Sequence, residues 1–223
     1  EELKTTLDLE GKLVGIGLER EDYIKGIPER LQALDRFFLK YPEYRGRVVF
    51  IQVGVPSRSH LTPYGQLSQG IAVMEREINE RYGTDDWRPI RYLRKDLPRH
   101  SLLALWRLAD FCIVSSLHDG MNLVAKEFVA SRADEDGVLL LSSFTGAAAE
   151  LVDAILVNPF AIDGFADSIK AALTMPREER RWRMVAMRAA LQNNNVYTWA
   201  ADLLSTAVAS SEERHTYAYR GGW

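Results

Sequence analysis

The stretch Phe111-Cys112-Ile113-Val114-Ser115-Ser116-Leu117-His118-Asp119-Gly120-Met121-Asn122-Leu123-Val124-Ala125-Lys126-Glu127-Phe128-Val129-Ala130-Ser131 reads as a strand, a turn and a helix in direct succession. Its strand is apolar at every position rather than at alternate ones, the mark of a strand covered on both faces. Residues 12–18, 48–53, 90–93, 138–141 and 155–157 read the same way. Between them lie stretches with helical spacing: 27–40, 62–82, a helix capped by Ser101 and running through Ala109, and a short helix over 146–152. Helices over 164–174, 177–193 and 196–210 close the chain. Alternating strands and helices give a parallel sheet with right-handed crossovers. The expected fold is therefore α/β, a single Rossmann-like doubly wound parallel sheet over residues 1–210. The polar, Gly-ended residues 211–223 read as a frayed or cloning-derived tail.

Composition narrows the function. The chain has 223 residues, 47% hydrophobic and 26% charged, with a formal net charge of −3. That is too apolar for disorder, and no run approaches the length of a membrane span. The charge offers no overall field for nucleic acid. The one cysteine, Cys112, excludes an internal disulfide and a zinc site of several thiolates, and reads as a buried structural thiol. His60, His100, His118 and His215 lack metal-ligand spacing, so no metal is expected. The chain opens at Glu1 without a signal-peptide pattern and reads as trimmed or as part of something longer.

In a doubly wound sheet, ligands sit at the carboxyl ends of the strands. Four loops there are informative. In Gly17-Leu18-Glu19-Arg20-Glu21-Asp22-Tyr23-Ile24-Lys25-Gly26, two cations near a helix start suit a phosphate or diphosphate. The plain alternative is a charged surface in which Glu19, Glu21 and Asp22 pair with Arg20 and Lys25. The glycines lack the third member of a dinucleotide fingerprint, which disfavours a dehydrogenase. In Val53-Gly54-Val55-Pro56-Ser57-Arg58, Gly54 offers close approach to a ligand and Arg58 a further anion contact, against the alternative of a plain loop. In the third loop, Asp119 and Glu127 stand eight residues apart and can address two ends of an extended ligand. There His118 is open to a surface role, Met121 to core packing and Glu127 to a solvated helix face. Ser142-Ser143-Phe144-Thr145-Gly146-Ala147-Ala148-Ala149-Glu150 carries small residues suited equally to tight packing or to ligand contact.

The run Asp119 to Ala130 resembles the signature of trehalose-6-phosphate synthases, retaining metal-independent glycosyltransferases of two-domain GT-B architecture. Gly17 to Arg30, Val55 to Arg58, Gly146 to Leu151 and Val157 to Phe160 match that family in order and spacing, so the resemblance covers roughly residues 11–205. It implies the C-terminal, donor-binding half of such an enzyme. Arg20 and Lys25 would hold the donor diphosphate and stabilise the departing nucleotide, replacing a metal. Asp119 would bind a donor-sugar hydroxyl. The backbone of Gly120, Met121, Asn122 and Leu123 would hold sugar and phosphates. Glu127 would accept from the ribose, and Val53, Leu97 and nearby Val124 would face the uracil. Three positions depart from the family's habit: Glu21 is usually apolar there, His118 often arginine and Leu97 often aromatic. The implied reaction moves glucose from UDP-glucose to glucose 6-phosphate. The alternatives are another acceptor, as in glucosylglycerol-phosphate synthase, or a non-catalytic nucleotide-sugar-binding relative. The implied partners are the nucleotide sugar and an N-terminal GT-B domain outside this chain, with no cofactor, no metal, no nucleic acid and no membrane. A cytoplasmic setting is expected, a homo-oligomer is left open, and this half alone is expected not to turn over.

Overall fold

The computed structural model describes residues 5, 7–56 and 62–220. Among them six strands form one parallel sheet: β1 (Leu13–Glu21), β2 (Val48–Pro56), β3 (Ile90–Leu93), β4 (Phe111–Val114), β5 (Val138–Ser142) and β6 (Ile155–Val157). Their spatial order is β3-β2-β1-β4-β5-β6. The order reverses between β1 and β4, where an open doubly wound sheet leaves a crevice beyond its carboxyl edge. The helices are α1 (Ile27–Lys40), α2 (Thr62–Tyr82), α3 (Arg99–Leu108), α4 (Leu123–Ser131), α5 (Ile162–Thr174), α6 (Arg177–Asn193) and α7 (Val196–Arg220).

Apolar residues on both faces of the strands make the core. β4 and β5 are buried at every residue, and α1 lays Ile27, Leu31, Leu34, Phe37 and Phe38 against the sheet. Gly15 lets the rings of Phe50 and Phe111 meet over β1, since a Cβ there would lie 2.2 Å from the Phe111 ring. Cys112 is fully buried, and burial pushes its thiol well above the ordinary range, as fits a packing residue.

Several boundaries differ from expectation. β1 runs on to Glu21 and β2 to Pro56, paired residue by residue, so Arg20 stands on a strand and not in a loop. α3 begins at Arg99 behind Pro98, so Ser101 lies inside the helix and does not cap it. Residues 146–149 form a single 3-10 turn, too short for the helix expected there. The last helix runs to Arg220, past its expected end at residue 210. Ser57, Arg58, Ser59 and His60, and the last three residues of the tail, lie outside the described residues.

Candidate functional site

Two strand-to-helix loops leave the central strands at the switch point. After β1, Asp22 accepts the Ile24 amide at 3.3 Å and starts a 3-10 turn over Tyr23–Lys25. Gly26 then adopts φ 64°, a left-handed conformation that glycine reaches without strain. A Cβ on Gly26 would also lie 2.1 Å from the Ser115 carbonyl oxygen. Pro28 in the first turn of α1 suits the reversal. The Leu117 amide donates to the Ile24 carbonyl at 2.7 Å, and the Ser115 hydroxyl to that of Gly26 at 2.7 Å. These contacts press the first loop onto the end of β4.

Lys25 Nζ thereby meets Asp119 Oδ2 at 2.7 Å, with both side chains mostly buried. Asn122 Nδ2 donates to the same oxygen at 3.1 Å, and the Met121 amide to Oδ1 at 3.4 Å. Burial alone would raise the Asp119 carboxyl. The hydrogen bonds from Lys25 and Asn122, with the Lys25 charge and the Met121 amide, outweigh it and hold the carboxyl below its ordinary value. Asn122 caps α4 by accepting the Ala125 amide at 2.9 Å. It does so at φ 74°, a conformation that costs a non-glycine residue free energy and persists only where the surroundings impose it. Gly146 closes from β5: its amide donates to the Asp119 carbonyl at 2.8 Å, and a Cβ there would lie 2.1 Å from the Gly120 oxygen. The small residues of that turn therefore serve backbone packing on the Asp119 loop.

Beneath the pair lies Arg30, fully buried. It donates to both Glu19 oxygens, at 2.8 and 2.5 Å, to Gln52 Oε1 at 2.8 Å and to the Ser115 hydroxyl at 2.9 Å. Gly17 makes room for it, since a Cβ there would lie 2.0 Å from Arg30 Nη1. The acids of the first loop thus do not neutralise its cations. Glu19 pairs with Arg30, Glu21 takes the Tyr92 hydroxyl, and Asp22 caps the turn. Arg20 is exposed and, among the described residues, has no ion pair or hydrogen-bond partner for its side chain.

Above this floor opens a cavity of about 440 Å³. Its polar lining includes Arg20, Lys25, Asp119 and Asn122, and its apolar lining Val53, Leu97, Met121, Leu123 and Val124. These site residues expected from sequence are brought together. Two are not on the lining. Gly120 faces Gly146, and Glu127 is exposed without a partner among the described residues, on the helix face it shares with Leu123 and Val124. Met121 is 53% exposed at the mouth and so is not core packing; His118 is exposed beside it. Gly54 does not open toward a ligand: a Cβ there would lie 2.2 Å from the Tyr92 hydroxyl oxygen, so it admits that side chain instead. Sequence reasoning missed Glu19, Asp96 and Leu102 on the lining and Arg30 below it. Gly17 was the one signal of Arg30, legible only once β1 and α1 are seen to pack. Among the described residues, no group of three or more His, Cys, Asp and Glu could hold a metal ion. No helix there is long and apolar enough to cross a membrane.

Comparison with known proteins points the same way. Residues 1–209 match glycosyltransferase family 20. A trehalose-6-phosphate synthase of Sinorhizobium fredii is 40% identical over 210 residues, 94% of this chain and 45% of that protein. An alpha,alpha-trehalose-phosphate synthase (UDP-forming) from Burkholderia xenovorans, solved in complex with glucose-6-phosphate, superposes with a TM-score of 0.88 at 38% identity, covering 92% of this chain and 45% of that one. The structure described as trehalose-6-phosphate from E. coli bound with UDP-2-fluoro glucose superposes with a TM-score of 0.88 at 35% identity, covering 92% and 46%. The chain spans less than half the length of the curated relatives it matches, as little as 23% of one of them.

Proposed function

The chain belongs to glycosyltransferase family 20, and on that premise we propose that it is the donor-binding half of a UDP-forming alpha,alpha-trehalose-phosphate synthase. The observation that carries this reading is the pairing of Lys25 with Asp119 at 2.7 Å across the switch point, beside an Arg20 unpartnered among the described residues and an apolar wall of Val53 and Leu97. A nucleoside diphosphate sugar has three chemically distinct parts, and the cavity offers one surface to each. Arg20 and Lys25 face the diphosphate. As the bond between the anomeric carbon and the diphosphate oxygen breaks, its electron pair passes to the departing UDP, and these cations stabilise the charge where a metal would otherwise act. Among the described residues Asp119 Oδ1 accepts only the long Met121 contact, which leaves lone-pair capacity for a sugar hydroxyl. Val53 and Leu97 pack on the uracil, and Glu127, one turn along α4, takes the ribose hydroxyls.

Glucose 6-phosphate is the acceptor in this reading, transferred onto with retention at the anomeric carbon. The relatives' own names favour it over another sugar phosphate. The partner is a second GT-B wall beyond these residues, because bringing donor and acceptor together needs both sides of the cleft. The setting is cytoplasmic, as fits a sugar-nucleotide enzyme with one buried free thiol. The test is UDP release from UDP-glucose by the chain joined to the remainder of its protein. Release that requires glucose 6-phosphate and falls at least about tenfold in Arg20→Ala supports the reading. Release without an acceptor, or an unaffected variant, rejects it.

A further inference from the structure

The end of β1 carries a second buried acid that the reaction does not use. Glu21 is 1% exposed. Its Oε1 accepts the Tyr92 hydroxyl at 2.8 Å and lies 3.4 Å from Arg94 Nε, while Oε2 is buried with no hydrogen-bond partner among the described residues. The Arg94 guanidinium lies over the Tyr92 ring at 4.1 Å from its centroid and reaches Glu75 at 3.7 Å. Tyr92 sits on β3 and reaches β1 by crossing β2 over Gly54, where no Cβ would fit. Three strands are thus shaped around one contact. A buried carboxylate with an idle oxygen is a poor way to gain stability, because apolar residues of similar size usually do as well or better there.

Its place suggests another role. Arg94 leads into Asp96 and Leu97, which form one wall of the cavity. Arg20 precedes Glu21 on β1 and lines the cavity, while successive strand residues point to opposite faces. Anchoring Glu21 inward therefore fixes both the backbone that carries Arg20 and the segment that carries Leu97. We propose that Glu21, Tyr92 and Arg94 are positioning residues that hold the Asp96–Leu97 wall in register with Arg20, and so set how tightly the nucleoside end of a nucleoside diphosphate is held relative to its diphosphate. This rests on the nucleotide reading of the cavity.

The experiment titrates the chain, Glu21→Leu, Tyr92→Phe and Glu21→Gln with UDP and with inorganic pyrophosphate, and melts each protein. In Glu21→Leu, UDP affinity falls about fivefold or more while pyrophosphate affinity stays within about twofold. Its melting temperature is little changed, because removing the idle buried oxygen offsets the acceptor lost by the Tyr92 hydroxyl and Arg94. Tyr92→Phe keeps the ring under Arg94 and loses less UDP affinity. Glu21→Gln keeps an acceptor for Tyr92 and restores most of what Glu21→Leu loses. Equal losses for both ligands, losses that follow a falling melting temperature, or no rescue by Glu21→Gln would overturn the inference. Wild type that binds both ligands equally overturns the nucleotide reading and the inference with it. Wild type that prefers UDP, with the preference intact in Glu21→Leu, overturns the inference alone.

Discussion

The floor and the rim of the cavity each carry an arginine from the same segment, and the two are used in opposite ways. Arg30, on the floor, is fully buried and held by Glu19, Gln52 and Ser115. Arg20, on the rim, is exposed and has no side-chain partner among the described residues. A buried guanidinium must be matched donor for donor or the chain does not fold well. An exposed one can keep its donors free for an anion. The difference teaches that charge alone does not mark a site in this fold; charge left unspent by the protein does. Lys25 and Asp119 lie between the extremes, paired with each other at 2.7 Å yet reachable from the cavity.

The sharpest way to break this contrast is Arg30→Ala. It strands Glu19 as an unpaired buried carboxylate, and removing one partner of such a pair costs about 3–5 kcal/mol. Urea denaturation should show that loss; an unchanged midpoint would mean that the floor is not structural. Lys25→Ala acts on the rim. It should lower UDP affinity by about 1–3 kcal/mol, the range for a charge-assisted contact, with the fold retained. Calorimetry reads the affinity and circular dichroism the fold. Asn122→Ala lies between floor and rim, removing the α4 cap and one hydrogen bond to Asp119. A stability loss of about 1 kcal/mol is expected, as for other lost N-caps.

Two smaller effects sharpen the comparison. Asp119 titrates below its ordinary value of 3.8 in the folded protein. A depressed carboxyl contributes stability above its unfolded value and loses it as pH falls through the folded one. The stability difference between wild type and Lys25→Ala should therefore be present at about pH 6 and fade below about pH 4 in paired denaturation curves. Glu127→Ala should change stability by no more than about 0.5 kcal/mol, as befits an exposed residue without partners among the described residues. It should weaken UDP more than pyrophosphate, which has no ribose. Equal losses in the two titrations would reject the ribose role.

Much of the contrast was written in the sequence, but unevenly. The strands were legible because both of their faces are apolar, as in Phe111-Cys112-Ile113-Val114, and the Asp119–Ala130 motif carried the family. Strand ends were not. Glu19, Arg20 and Glu21 look like a loop in one dimension, because nothing local shows that Arg30, Tyr92 and the facing residues of β2 will pair them. Gly54 looked suited to a ligand's approach, whereas it admits the Tyr92 side chain, as Gly17 admits that of Arg30. Ser101 had the chemistry of a cap, but Pro98 starts α3 earlier. What the sequence withheld was tertiary partnership, and partnership decides which charges are free.

On the proposed reading, the unspent charges at the switch point hold a uridine diphosphate. Isothermal titration of the chain with UDP, UDP-glucose and GDP-glucose, with NAD as a control, tests it most directly. Saturable binding of the uridine compounds that weakens by about 1–3 kcal/mol in Lys25→Ala is expected, and none of NAD. Absence of uridine nucleotide binding, or binding that Lys25→Ala leaves unchanged, would contradict it.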